Sequence, residues 1–525
     1  MEHNNMSSSG LHEYKKAKDI RGIFNDSFDV LRRYMNTSMV RQSNLFDESW
    51  YAKTYPHFRN EHMDAARHYF LYGGAMGFNP SPKFDAAAYL EENPDVANSG
   101  INPLFHYENT GKFEGRSAIP VIDMKSIEDY RSGNNEKPLV LYDSHDLNYH
   151  GAQNSLMELA SGIKKRNKFD AFMMSSNEGP LTNQYIDSNI SYFTHGVSLM
   201  RIMSNFDKNV DFLSSIYSKL SPSIVHVNTI KNFFAVLAAH RAGIPAIWNI
   251  RESENPENCF DFLPAPLRSL ALSCFERARA VVFVSKATRA LWNGRLPGRV
   301  EQLVIPNGID AKRLKAAGLD RKNARRALGI RDDQFLALNV GAACERKGQK
   351  DILDAMQLVR APLEAERFAI ALVGLNHGEY AGKLREDADK LRRSGMTILM
   401  IEETHREEER ATLGMLYAAA DVFILSSRLE SYPRVVLEAM HFGLPLISTP
   451  CIGVAEQVVD GDGVIYYDAG DNKGLLSRIR FLEKHEDVRQ NMSIANLTRF
   501  PKVSSYDRMV DSYSNLYRTI VTEKN

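Results

Sequence analysis

The stretch from Ser426 to Pro450, SSRLESYPRVVLEAMHFGLPLISTP, decides how the chain is read. An apolar run from Asp421 to Ser426 reads as a strand, and a loop carrying Glu430 follows it. Pro433 marks a helix start, because its fixed φ and missing N–H cost nothing in a first turn. Glu438 falls inside that helix, and a second apolar run from Leu444 to Ser448 reads as another strand. Strand, helix, strand is the unit of a parallel sheet covered by helices. The helix start is also suited to binding. Its unpaired N–H groups around Tyr432, Arg434 and Val435, flanked by Ser431 and Pro433, can meet phosphate oxygens. Glu438 can take the paired hydroxyls of a ribose, as acidic residues do in other nucleotide sites. Glu430, further out, can reach a sugar held beyond the phosphates.

Upstream, the runs Phe335–Gly341, Phe368–Gly374 and Met396–Ile401 read as strands of the same series, and Val464–Tyr466 as one further on. The first is followed by GAACERKG, Gly341 to Gly348. Two adjacent cations at a helix start, Arg346 and Lys347, oppose the helix dipole unless an anion sits between them and the N–H groups. Neither Gly-x-Gly-x-x-Gly nor a Walker-type Gly-x-x-x-x-Gly-Lys occurs, which removes the usual signatures of dinucleotide redox chemistry and P-loop hydrolysis.

An earlier alternating series begins near residue 137, with strands expected at Pro138–Ser144, Ala171–Ser175, Ile224–Asn228, Ala246–Ile250 and Ala280–Ser285. Two doubly wound domains in tandem imply a cleft between the carboxyl edges of two sheets, where two substrates can meet. Gly151 and Asn228 fall at such edges and are candidates for contact with a ligand there. His145, His150 and His226 lack helical metal-ligand spacing and read as non-ligands. The basic cluster Lys164-Lys165-Arg166 with Lys168 complements a helix C-terminus and is also a candidate contact for an anionic membrane.

Before the two domains lies an internal repeat. Phe46-Asp47, Tyr51, Pro56, His68-Tyr69, Gly73 and Gly77 recur 38 residues later as Phe84-Asp85, Tyr89, Pro94, His106-Tyr107, Gly111 and Gly115. Each copy reads as a helix, a proline-marked turn and a second helix with a glycine cap. Two copies bury little core alone, so residues 42–118 are expected to dock on the rest of the chain or on a protein partner. Ahead of them, residues 1–41 are expected to form a helical extension. Ile20, Phe24, Phe28, Leu31 and Met35 recur there at helical spacing beside basic residues, a pattern fit for its own protein or a membrane surface.

At 525 residues, with 43% hydrophobic and 25% charged, the chain has an ordinary globular composition and length for three to four domains. Its 65 basic residues balance 65 acidic ones, so no global polycation invites nucleic acid. Four cysteines without Cys-x-x-Cys spacing offer neither a disulfide framework nor a thiolate zinc site. With no signal pattern and no apolar run of about 18 residues, a cytoplasmic location is expected, with peripheral contact at the inner membrane face as a candidate.

VIPNGID (Val304–Asp310), RKGQ (Arg346–Gln349) and the ES-YP-VVLEAM-GLP run together resemble retaining GT-B glycosyltransferases of family 4, over roughly 137 to 525. The resemblance implies an acceptor domain at 137–305, a nucleotide-sugar donor domain at 306–500, and a C-terminal helix at 501–525 that crosses back to the acceptor domain. It assigns the diphosphate to Lys347 with Arg346, the donor sugar to Glu430 and the ribose to Glu438. It also implies transfer to a glycan or lipid-linked glycan in bacterial surface polysaccharide synthesis, with no cofactor and no metal. Two departures stand out. Ala342 replaces a frequent arginine, for which Arg346 substitutes. Arg251 or Asn249 stands where a histidine often faces the sugar. The alternatives are an inactive scaffold acting through the repeats, or a nucleotide-sugar hydrolase or epimerase.

Overall fold

In the computed structural model, residues 36–55, 63–118, 124–133, 137–197, 199–296, 298–314, 320–402 and 407–524 are described. The basic stripe between Lys15 and Met35, Pro56 and Glu403 lie outside them.

Two wholly parallel sheets carry the body. The first contains β1 (Leu139–Ser144), β2 (Asp170–Ser175), β3 (Ser191–Thr194), β4 (Ile224–Asn228), β5 (Ala246–Ile250), β6 (Ala280–Phe283) and β7 (Glu301–Val304). Their order is β3-β2-β1-β4-β5-β6-β7. The second contains β8 (Phe335–Val340), β9 (Phe368–Leu375), β10 (Thr397–Glu402), β11 (Val422–Leu425), β12 (Leu446–Ser448) and β13 (Val464–Tyr466), ordered β10-β9-β8-β11-β12-β13. Central strands such as β1 and β4 are buried on both faces, so they read as unbroken apolar runs. The sequence reading missed β3 and β7. Both are four-residue edge strands with partly exposed side chains, and their apolar signal is correspondingly weak.

Each sheet is sandwiched by helices. One face of the first sheet packs against the Gly151–Lys165 helix and the final helix, Tyr506–Lys524, through a shared core that includes Val140, Leu156, Val510 and Tyr517. The chain thus returns from the second sheet to the first, and the Tyr517 hydroxyl lies 2.7 Å from His226 Nδ1.

The repeat builds its own small core, with Tyr51, Tyr69, Phe84, Tyr89 and Leu104 buried together. In each copy an aspartate caps the first helix: Asp47 accepts from the Trp50 N–H and Asp85 from the Ala88 N–H. In each, a tyrosine meets a histidine at 2.9 Å, Tyr51 with His68 and Tyr89 with His106. The second helix then widens to a π turn, Tyr69–Gly73 or Tyr107–Gly111. Gly77 and Gly115 take the left-handed turns, at φ 74° and 76°. Gly73 and Gly111 serve a different need: a Cβ there would lie 2.1 Å and 2.0 Å from the tyrosine hydroxyls. The Ala86–Glu92 helix of the second copy lies against the Leu199–Ser204 helix of the first-sheet domain.

Candidate active site between the two sheets

A cleft of about 810 Å³ opens between the carboxyl edges of the two sheets and is lined from both. On the second-sheet wall, the turn after β8 and the loop after β11 are zipped together. The Arg428 N–H donates to the Arg346 carbonyl at 2.7 Å, and Ser426 Oγ donates to the Lys347 carbonyl at 2.8 Å. Gly348 is required at this crossing, since its φ is 63° and a Cβ would sit 2.2 Å from the Ser426 carbonyl oxygen. Arg428 adds a two-pronged pair to Asp351, at 2.6 and 2.8 Å. Gln349 donates to the carbonyls of Gly341 and Ala342, both at 3.1 Å, and so fixes the glycine turn.

This scaffold brings Lys347 Nζ to 2.5 Å from Glu430 Oε1, which also accepts from Ser427 Oγ at 2.8 Å. Arg346 stands further out. It donates to the Leu429 carbonyl at 2.9 Å and lies 3.8 Å from Glu430. The Arg434–His441 helix follows, its start at Pro433 and Arg434 on the cleft. One turn in, Glu438 is buried and accepts from the Tyr417 hydroxyl at 2.9 Å. Burial, reinforced by the Glu438 carboxylate, pushes the Tyr417 phenol well above its usual range.

Three expected donor groups are placed differently from a simple phosphate cradle. The Arg434 guanidinium is committed to Glu158 of the first-sheet domain, at 2.8 and 3.0 Å, so it is not a free cation for a diphosphate. Burial lowers its pKa, but Glu158, Glu438 and Tyr417 together hold it raised. Ser431 Oγ donates to the Arg251 carbonyl at 2.6 Å, and the Tyr432 hydroxyl donates to the Val503 carbonyl at 2.8 Å. What Ser431, Tyr432, Pro433 and Val435 offer the cleft is therefore chiefly backbone.

On the first-sheet wall, Gly151 opens its helix at the cleft. Arg251 lines the cleft too, with Nε donating to Asn228 at 2.7 Å and Nη1 to Asn307 at 2.7 Å. Burial, more than any neighbouring charge, depresses the Arg251 guanidinium. Of the two residues proposed for the histidine position, Arg251 reaches the cleft. Asn249 is fully buried and donates to the Val282 carbonyl at 3.0 Å. Asn228 is likewise buried, holding Arg251 from behind. Glu252 accepts from the N–H groups of Ile230 and Arg251, and burial pushes its carboxyl up.

His145 lines the cleft 3.1 Å from Asp146, whereas His226 is sealed in the core. Among the described residues, no group of three or more His, Cys, Asp or Glu is placed to hold a metal. Nor is any described helix long and apolar enough to cross a membrane. In the basic cluster, Lys164 is paired with Asp170, and Arg166 with Asp507 and Asp511, which leaves Lys165 and Lys168 exposed. Glu402 sits on the cleft rim, paired with Arg385 at 3.0 Å.

Sequence reasoning missed Glu158, Ser427, Tyr417 and the bridging role of Asn307. Glu158, Tyr417 and Asn307 act through contacts between distant segments, whereas Ser427 supports Glu430 from three residues away within the quoted run.

Two sheets facing a cleft with this charged wall define a two-domain protein of the GT-B type. The family described as glycosyl transferases group 1 matches residues 320–498, and the one described as Glycosyltransferase Family 4 matches 149–313. The chain belongs to this glycosyltransferase family. Among curated relatives, D-inositol 3-phosphate glycosyltransferase of Thermomonospora curvata is 30% identical over 237 residues, 43% of this chain and 52% of that protein. O-antigen chain mannosyltransferase C of Escherichia coli is 26% identical over 225 residues, covering 42% and 56%. The chain spans about half the length of the curated relatives it matches. In fold it resembles Anabaena HepE in complex with UDP, with TM-score 0.60, 19% identity, and coverage of 73% of this chain and 100% of that one. It resembles Thermosynechococcus elongatus sucrose-phosphate synthase similarly, with TM-score 0.60, 15% identity, and coverage of 74% and 100%.

Proposed function

We propose that the chain transfers a sugar, with retention, from a nucleotide-diphosphate sugar to a glycan or lipid-linked glycan in bacterial surface polysaccharide synthesis. The observation that carries this reading is the clustering of Lys347, Glu430 and Glu438 around one helix start on an interdomain cleft. Relatives named as glycosyltransferases, one of them an O-antigen mannosyltransferase, and a fold neighbour bound to UDP support it.

In the proposed reaction, cleavage of the sugar–phosphate bond builds negative charge on the departing diphosphate and positive charge on the sugar ring. Lys347, Arg346 and the N–H groups at the Arg434 helix start face the growing negative charge. A preorganised donor of this kind is worth about 3 kcal/mol in the transition state. Glu438 binds the ribose, and Glu430 faces the donor sugar while orienting Lys347. The acceptor enters against the Gly151 and Arg251 wall, and the leaving phosphate oxygen takes its proton on the same face. The cations balance the diphosphate charge, so the reaction is proposed to run without a divalent metal, and chelator should leave its rate unchanged. The site of action is proposed to be cytoplasmic.

The test is a thermal-shift panel of UDP, GDP, ADP, CDP and dTDP on wild type, Lys347→Ala and Glu438→Ala. Ligand at one hundred times its dissociation constant adds ~2.7 kcal/mol. The expected outcome is one nucleotide that raises the wild-type melting temperature and leaves both variants unmoved. If none acts at millimolar concentration, the donor reading fails and the scaffold alternative takes its place.

A further inference from the structure

Arg434 stands in the first turn of its helix, where a cation faces the positive end of the helix dipole. Its compensation comes from the opposite wall. Nη1 lies 3.0 Å from Glu158 Oε2 and from Ser155 Oγ, and Nη2 lies 2.8 Å from Glu158 Oε1. Both partners are sequestered, with side chains 10% and 6% exposed. Along the way the arginine stem passes the first turn of the acceptor-side helix, where a Cβ on Gly151 would lie 3.9 Å from Arg434 Cδ. The same short segment is held twice more. Ser431 bonds the Arg251 carbonyl at 2.6 Å, and Asn307 Nδ2 donates to the Tyr432 carbonyl at 3.2 Å. Asn307 is itself held by Arg251 Nη1 at 2.7 Å.

Segment 431–434 is also the segment whose N–H groups the proposed function gives to the diphosphate. A two-pronged guanidinium–carboxylate pair fixes orientation as well as distance. A buried carboxylate left without its cation is strongly disfavoured, so the pair resists partial opening. We propose that Glu158 is a positioning residue. By gripping Arg434 across the cleft it couples closure of the two domains to the shape of the diphosphate cradle. The nucleotide half of this inference rests on the donor reading above, and the closure half does not.

The experiment compares wild type, Glu158→Gln, Glu158→Ala and the exchanged pair Glu158→Arg with Arg434→Glu, all as the full chain. Small-angle X-ray scattering without nucleotide reads closure, and calorimetric titration with UDP reads the cradle. Glu158→Gln keeps the side-chain volume, and circular dichroism shows whether each variant is folded. Both single variants should have a larger radius of gyration than wild type. They should also bind UDP about tenfold more weakly, as expected when the competent state falls to about a tenth of the population. The exchanged pair should move both readings back toward wild type. Unchanged scattering in the folded Glu158→Gln and Glu158→Ala variants would overturn the proposal. So would weaker UDP binding at constant radius, or expansion without weaker binding. If wild type does not bind UDP, the donor reading fails for that nucleotide while the scattering alone decides whether Glu158 holds the cleft closed.

Discussion

On the second sheet's wall of the cleft, Lys347 and Glu430 meet directly at 2.5 Å, and Glu438 lies one helix turn beyond on the same run of sequence. On the first sheet's wall, Arg251 depends on Asn228 and Asn307, and each arrives from a different segment. The first arrangement pairs opposite charges on the cleft, with Lys347 and Glu430 brought together from loops 83 residues apart. The second places one cation against neutral amides, without an ion pair among the described residues. Under the proposed function, charge balance accounts for the contrast between Lys347 and Arg251. A wall meant for a diphosphate needs cations that can exchange a carboxylate partner for phosphate oxygens. A wall meant for an uncharged acceptor hydroxyl needs oriented hydrogen-bond donors and little net charge.

The sharpest way to break this comparison is to remove one cation from each wall. Lys347→Ala should lower turnover by about 10²–10³-fold, the usual cost of losing one preorganised transition-state donor. It should also abolish nucleotide stabilisation. Arg251→Ala should lower transfer by about tenfold, which corresponds to losing ~1.4 kcal/mol of hydrogen bonding. Its nucleotide binding should fall far less than that of Lys347→Ala, because only the support of Asn307 under the Tyr432 carbonyl is loosened. The measurements are steady-state transfer with the identified donor and titration with the matching nucleotide. If Arg251→Ala weakens nucleotide binding as much as Lys347→Ala does, the division of labour between the walls is wrong.

The two walls were also unequally legible in the sequence. Glu430, Pro433 and Glu438 lie within nine residues, so local helix chemistry is enough to bring them to one place. Arg346 and Lys347 announce themselves as an unfavourable pair at a helix start. Arg434 also stands at a helix start, but its side-chain partner was not readable there, because Glu158 lies 276 residues away and nothing in either local pattern links them. All six strands of the second sheet were readable because each lies in an apolar stretch, including the partly buried edge strands β10 and β13. In the first sheet β3 and β7 escaped, since SYFT and EQLV hold only two apolar residues in a row.

The repeat shows what period alone conveys. It exposed which residues recur but not why Gly73 and Gly111 are glycine, since that depends on where a tyrosine hydroxyl comes to rest. Gly111→Ala should therefore destabilise the repeat by about 1–3 kcal/mol, the common cost of overpacking. Gly115→Ala should also cost stability, through its positive φ rather than through a clash. Adding Tyr89→Phe to each variant separates the causes. Loss of the hydroxyl should relieve the Gly111→Ala defect and leave the Gly115→Ala defect unchanged in chemical denaturation.

The smallest expected effect lies behind the first sheet's wall, where β1 and β4 carry two buried titratable groups on opposite faces of one sheet. Tyr142 pairs with His226 and Asp143 with Val227, so the histidine and the aspartate point in opposite directions. Burial, helped by the Arg251 charge, lowers His226 to about 3. The unfolded chain therefore takes up this proton first, and stability is lost as pH falls from about 6.5 toward 3. Burial raises Asp143 to about 6, even though Tyr217 and Asn232 donate to its carboxylate. Here the folded chain takes up the proton first, and stability is gained as pH falls from about 6 toward 4. At about 1.4 kcal/mol per pH unit, going from pH 7 to 5 costs roughly 2 kcal/mol through His226 and returns roughly 1 kcal/mol through Asp143. Wild type should show only a small net response from this pair. Single variants should uncover the two halves. His226→Gln should gain stability relative to wild type on acidification, and Asp143→Asn should lose it. Urea midpoints for the three chains at pH 7 and pH 5 measure the difference. Parallel shifts in all three would show that neither group titrates across that window in the folded protein.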